Sequence, residues 1–177
     1  GRYNIRNGMQ DSVIHSTEPR GVPLNERFVS AKLVENGYET VAIGKWHLGM
    51  HQDSYLPLQR GFNSHYGIYT GGGSHTGHFS VSQSFTVRQQ SESLVWQGYN
   101  LWENGVVSQD NFGTTHSTHL YSGKAVEYIE LMEDANDEQP FFLYLAYQAI
   151  HDPIQVGDEK YISETSCNTI KGPKEND

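Results

Sequence analysis

Cysteine is nearly missing from this chain of 177 residues: the single thiol, Cys167, cannot close an internal disulfide, so no redox compartment follows from it. An excess of positive charge is missing too. With 12 Lys and Arg against 21 Asp and Glu, the net charge is -9, which argues against nucleic acid or an anionic membrane as a partner, since either would need a basic face. No run is long and apolar enough to span a membrane, and no Asn-x-Ser/Thr sequon occurs. The chain opens on Gly1 with neither an initiator Met nor an apolar leader, so it is expected to be a piece of a longer protein.

What is present is concentrated in Thr40-Val41-Ala42-Ile43-Gly44-Lys45-Trp46-His47-Leu48-Gly49, a short apolar run that stops at a glycine, a lysine and a histidine. Such a run reads as a strand buried on both faces, and in open α/β sheets ligands sit beyond the carboxyl ends of such strands. If the backbone stays extended, Lys45 and His47 share one side while Trp46 faces the other. An ammonium beside a titratable ring suits an anionic substrate.

Two helix-strand units are predicted. The first has a helix over 24–38, capped by Asn25 and closed by Gly37, with Phe28, Ala31, Val34 and Leu33 as its apolar stripe; the strand at 40–44 follows. The second has a helix from Thr118 to Met132, with Leu120, Tyr121, Ala125, Tyr128, Ile129 and Met132 at helical spacing, then the apolar run Phe141 to Tyr147, read as another central strand. His151 follows that strand, with Asp152-Pro153 marking a turn. Each unit thus delivers a histidine from the same kind of position. Asn104-Gly105 between Leu101-Trp102 and Val106-Val107 predicts a hairpin, and Phe79, Val81, Phe85 and Val87 alternate as an exposed strand would.

Gly44-Lys45-Trp46-His47-Leu48-Gly49 resembles the internal signature of the type I sulfatases, closest to the arylsulfatase B-like group. Gly1-Arg2-Tyr3 resembles the end of that family's other signature, and Arg60-Gly61-Phe62, Phe142 to Ala146 and His151-Asp152-Pro153 fall in the family's order. The resemblance implies an α/β fold: a partial alkaline-phosphatase-like sandwich with a mostly parallel central sheet, flanking helices and a small antiparallel hairpin region. It also implies that a sulfate ester, aryl or glycosaminoglycan, is cleaved by a formylglycine whose hydrate attacks sulfur beside a calcium ion. Lys45 would bind the sulfate as a fixed cation. His47 would accept the proton from the formylglycine hydroxyl when sulfate is expelled and the aldehyde reforms, and His151 would bind sulfate oxygens and help protonate the leaving alcohol. A lysosomal or secreted location is implied in the same way.

Taken singly these residues have plainer readings: Lys45 as a solvated lysine, His47 as a hydrogen-bonded histidine at a strand end, His151 as a turn residue. Together in one signature, the functional reading is favoured. Arg60 is expected to hold the chain by bonding carbonyls or carboxylates. The stretch Gly71-Gly72-Gly73-Ser74-His75-Thr76-Gly77-His78 matches neither a phosphate loop nor a metal motif; it is expected to be a flexible loop near the pocket, with Ser74, His75 and His78 as substrate-side residues. Its glycines would allow backbone amides to approach an anion.

Several parts of the implied site are absent. The family's aspartate pairs have no counterpart in matching context, and Asp11, Asp53, Asp110 and Asp152 are too scattered to make a calcium cage. Cys167 lacks the neighbouring Pro and Arg of the formylglycine signature, so it is not the nucleophile. Residues 1–156 are therefore expected to form part of a catalytic domain lacking nucleophile and metal ligands, and 157–177 a polar, poorly ordered tail. Two alternatives stay open: phosphate or phosphonate ester hydrolysis on the same fold, and non-catalytic anion binding.

Overall fold

The apolar run at 40–44 becomes β1, Glu39–Lys45, flanked on both sides by parallel neighbours in a computed structural model that describes residues 1–83, 95–134 and 139–157. On one side lies β2, Ser64–Ile68, in register Ile43 to Tyr66 and Gly44 to Gly67. On the other lies the later strand Phe141–Ala146, in register Ile43 to Leu145 and Gly44 to Ala146. Four strands intervene in sequence. After β3 (Phe79–Gln83) and β4 (Val95–Tyr99), which pair only with each other, β5 (Leu101–Glu103) runs antiparallel to β2 and β6 (Val106–Val107) closes a hairpin on β5. With Phe141–Ala146 as β7, the sheet order is β6-β5-β2-β1-β7. Mostly parallel, with a small separate antiparallel sheet, this is the α/β architecture expected from the sequence.

Alternation along β1 feeds two cores. Val41 and Ile43 face one side with Tyr66, Ile68 and Leu101, and there they meet Tyr121 and Ala125 of helix α2, Ser117–Asp134. Ile68 and Leu101 are fully buried, and each contributes on the order of 2 kcal/mol by leaving water. Ala42 and Trp46 face the other side with Phe62 and Tyr69. Phe28, at the start of helix α1 (Val29–Val34), lies 5.7 Å from the Trp46 ring.

The helix expected over 24–38 is thus only six residues long. Arg60 explains the loss: its guanidinium donates to the carbonyls of Pro23 and Glu26 at 3.2 and 3.0 Å and lies 4.1 Å over the Phe28 ring. Those carbonyls are held in a turn, and Phe28, not Asn25, stands at the cap with no side-chain bond. The other end is as expected, with Tyr38 N–H on the Leu33 carbonyl and Gly37 N–H on Val34 in a Schellman motif. Arg60 has the carbonyl-holding role predicted for it.

A second correction concerns β7. It is an end strand among the described residues, with Phe141 40% and Tyr144 41% exposed, where the apolar run had suggested a central one. Asn104 and Gly105 form the predicted turn, both with positive φ (49° and 85°). Phe85, Val87, Cys167 and the tail beyond Gly157 lie outside the described residues. No helix among the described residues is long and apolar enough to cross a membrane.

His65 on β2 is 2% exposed, stacked 5.1 Å from Tyr69, with neither ring nitrogen hydrogen-bonded. Burial pushes it down to about 4. Because the folded value lies below the unfolded one, the unfolded chain binds more protons between the two. Stability is expected to fall as pH drops from about 6.5 to about 4, by roughly 3 kcal/mol in full. Urea titrations at pH 7 and pH 4.5 check this: His65→Phe, which keeps the ring and removes two unpaired nitrogens, should flatten the decline. An equally steep decline in that variant refutes the assignment.

Candidate active site

The parallel ladder runs past the end of β1, with Trp46 N–H donating to Ile68 O at 2.9 Å and His47 N–H to Tyr69 O at 3.1 Å. Trp46 is locked beneath, its Nε1 donating to Gly49 O and Tyr55 O. His47 then turns into the left-handed region, φ 54°, a conformation that a non-glycine residue keeps only when its surroundings enforce it. The extended step assumed from sequence therefore ends at Trp46. His47 is placed by that turn and by a 2.8 Å bond from its Nε2 to Ile14 O. A carbonyl only accepts, so Nε2 carries the hydrogen and Nδ1 keeps the lone pair.

Glycines 71 and 72 make room for two imidazoles. A Cβ on Gly71 would stand 2.5 Å from His47 Cε1, and one on Gly72 2.9 Å from His151 Nδ1. Sequence reasoning took this stretch for a flexible loop whose glycines could let amides approach an anion; what they admit here is histidine rings. The loop is tied down by Gln148 beyond β7, whose Nε2 donates to Gly73 O, and by Ser80, whose Oγ donates to Gly72 O at 2.9 Å.

His151 follows β7 by five residues. Its N–H donates to Gln148 O at 3.0 Å and its Nδ1 to Asp152 O at 2.7 Å, leaving Nε2 as the acceptor nitrogen. Because β1 and β7 are adjacent and parallel, His47 and His151 emerge at the same sheet edge. Both line one cavity of about 510 Å³, with Ser74 on the loop between them.

Lys45 is not among the lining residues, yet its charge acts on His47. Burial lowers Lys45 from its ordinary value. Burial also lowers His47; the Ile14 carbonyl opposes that shift, and the charges of Lys45, His151 and His15 reinforce it. His47 is therefore a neutral imidazole at neutral pH, able to take a proton. His75 and His78 go elsewhere. Both are 2% exposed and neither lines the cavity; His75 lies behind it, bonded to Ser117 and to the His151 carbonyl. Neither side chain lines this cavity, because the chain folds both inward, and His75 bonds there to two other segments.

Sequence reasoning missed other residues that line the cavity, Ile14 and His15 and Phe79 and Val81 of β3. Residues 13–16 have no periodicity that would mark them. The alternation at 79–81 identified a strand but not what its face meets. Among the described residues, no group of three or more His, Cys, Asp or Glu could hold a metal ion; Asp110, for example, accepts a 2.7 Å bond from the Tyr66 hydroxyl.

The family model described as Sulfatase matches residues 1–172. The chain belongs to the sulfatase family. It is 34% identical over 155 residues to arylsulfatase J of Mus musculus, covering 88% of this chain and 24% of that protein. It is 28% identical over 161 residues to N-acetylgalactosamine-6-sulfatase of Mus musculus, covering 87% and 29%. The crystal structure of Ps i-CgsB in complex with k-i-k-neocarrahexaose superposes with a TM-score of 0.69 at 30% identity, over 89% of this chain and 34% of that one. The chain thus spans about a quarter to a third of the length of these three proteins.

Proposed function

We propose that the full-length protein hydrolyses sulfate esters of an aryl alcohol or a glycosaminoglycan sugar, and that this chain supplies the wall of the active site that grips sulfate. The observation that carries the reading is the convergence of His47 and His151, from the ends of two adjacent parallel strands, on one cavity beside the charge of Lys45. A sulfuryl group develops negative charge on its oxygens as the ester bond breaks, and cations fixed in a water-poor pocket stabilise that charge.

In this reading Lys45 supplies fixed positive charge, His151 faces the sulfate, and Ser74 lines the same cavity with its Oγ bonded to Gln155 Oε1. Neutral His47 accepts a proton at Nδ1 while Ile14 holds its other nitrogen. His151 in its protonated form donates to the departing alcohol oxygen. Phe79 and Val81 offer the ring of the alcohol an apolar surface. The family resemblance also implies calcium and a formylglycine nucleophile. On that resemblance we assign both to parts of the full-length protein outside this chain; among the described residues no group of three or more His, Cys, Asp or Glu would hold the ion. A lysosomal or secreted setting is proposed on the same resemblance.

Release of a chromogenic phenol from an aryl sulfate tests the reading. The full-length protein is expected to turn over, and the isolated 177-residue chain is expected to give no phenol above a heat-treated control, because it keeps only part of the transition-state stabilisation. Turnover by the isolated chain would refute the division of labour. Turnover of aryl phosphate without aryl sulfate would refute the substrate class.

A further inference from the structure

Behind the cavity, three segments meet at histidines that the proposed chemistry leaves unused. His75 stacks face to face on His116, with ring centroids 4.7 Å apart and planes 5° from parallel, and Ser117 N–H donates to His75 O at 2.7 Å. From this pair, bonds reach the segment that carries His151. His75 Nε2 donates to His151 O at 3.1 Å, and His116 Nε2 to Gln155 O at 3.2 Å. The Gln155 side chain answers by accepting from His75 N–H and from Ser74 Oγ.

His116 also starts helix α2. Its carbonyl accepts from His119 N–H and Leu120 N–H, and its Nδ1 accepts from Thr118 N–H at 3.2 Å. Nε2 donates and Nδ1 accepts, so both ring nitrogens are committed, and only the neutral ring satisfies both partners. An imidazolium would turn a second N–H toward the Thr118 N–H and undo the cap.

We infer that His75 and His116 are positioning residues, which hold the 151–157 segment so that His151 stands at the cavity, and that His116 does so only as a neutral ring. The inference rests on the sulfate ester reading for its kinetic consequences, though not for the strap itself. Burial lowers His116; the Gln155 carbonyl opposes this, and His75 and His119 reinforce it. The remaining titratable neighbours are His78, on which His116, His75 and Asp110 act, and His151. Because the folded value of His116 lies below the ordinary one, the strap stays intact at neutral pH and opens as pH falls through that lowered value.

The test uses the full-length protein with two readouts. Peptide-resolved hydrogen exchange over 148–157, corrected for intrinsic rates, is expected to quicken about tenfold in His116→Ala and in acidified wild type. In His116→Gln, which keeps a donor toward Gln155 O and cannot titrate, exchange should not depend on pH. With an aryl sulfate, His116→Ala should lose about tenfold or more in kcat with KM little changed, since an ångström of misplacement is that expensive, and His116→Gln should recover most of it. Wild-type exchange in His116→Ala, or a Gln variant as slow as Ala, overturns the inference. If the wild type hydrolyses no sulfate ester, the functional reading falls and exchange alone decides the strap. If His116→Ala does not fold, the Gln variant and the acidified wild type decide it.

Discussion

Gly44→Ala is expected to abolish folding or lower the melting temperature by about 10 °C or more. Gly44 sits in β1 with φ +110°, and a Cβ there would run into the carbonyl of Ala146 on β7, while one on the facing Gly67 would run into the carbonyl of Gly44. The obstacle is main chain in a paired strand, which cannot swing aside, and an L side chain is strained at this φ in any case. Together these exceed about 4 kcal/mol, a large share of a domain's net stability. Gly123→Ala supplies the contrast. It lies within α2 with nothing within 4 Å of its added Cβ, and it should stabilise by about 1 kcal/mol. Thermal melts of the two variants in the full-length protein check both signs, and a Gly44→Ala protein melting with wild type would mean that β1 and β7 are not packed as described.

His47→Asn is expected to lower kcat for sulfate ester hydrolysis by about 10² to 10⁴-fold, the usual contribution of a positioned base. Asparagine tolerates the left-handed backbone that His47 adopts, so the variant should melt close to wild type while losing the titrating nitrogen. The sign of the pH effect follows from the lowered value of His47. The base is competent while neutral, so wild-type kcat should hold down past the ordinary imidazole range and fall only as pH drops through the lowered value, and the Asn variant should lack that component. Steady-state kinetics between pH 4 and 8 measure it; an Asn variant with wild-type kcat removes His47 from the proton path.

The parts of this fold that could be read from sequence are those fixed by local chemistry. β1 follows from an unbroken apolar run, the hairpin from Asn104-Gly105, and the end of α1 from Gly37, because each depends on residues adjacent in the chain. The start of α1 was misjudged because Arg60, more than 30 residues away, takes the carbonyls that a longer helix would have used. The end position of β7 among the described residues is likewise invisible in an apolar run, which shows that a strand is buried somewhere but not how many neighbours it has. In the site, His47 and His151 were legible as strand-end residues. His75 and His116 were not, because their role is written in bonds to Gln155 and the His151 carbonyl, 39 to 80 residues distant.

The glycine pair at 71 and 72 has a geometric consequence. The two rings, which belong to separate strand ends, rest against consecutive residues of one peptide, whose α-carbons lie about 3.8 Å apart whatever the side chains do. A Cβ at either position would press on one of the rings, so a single bare stretch of main chain accommodates both nitrogen heterocycles at once.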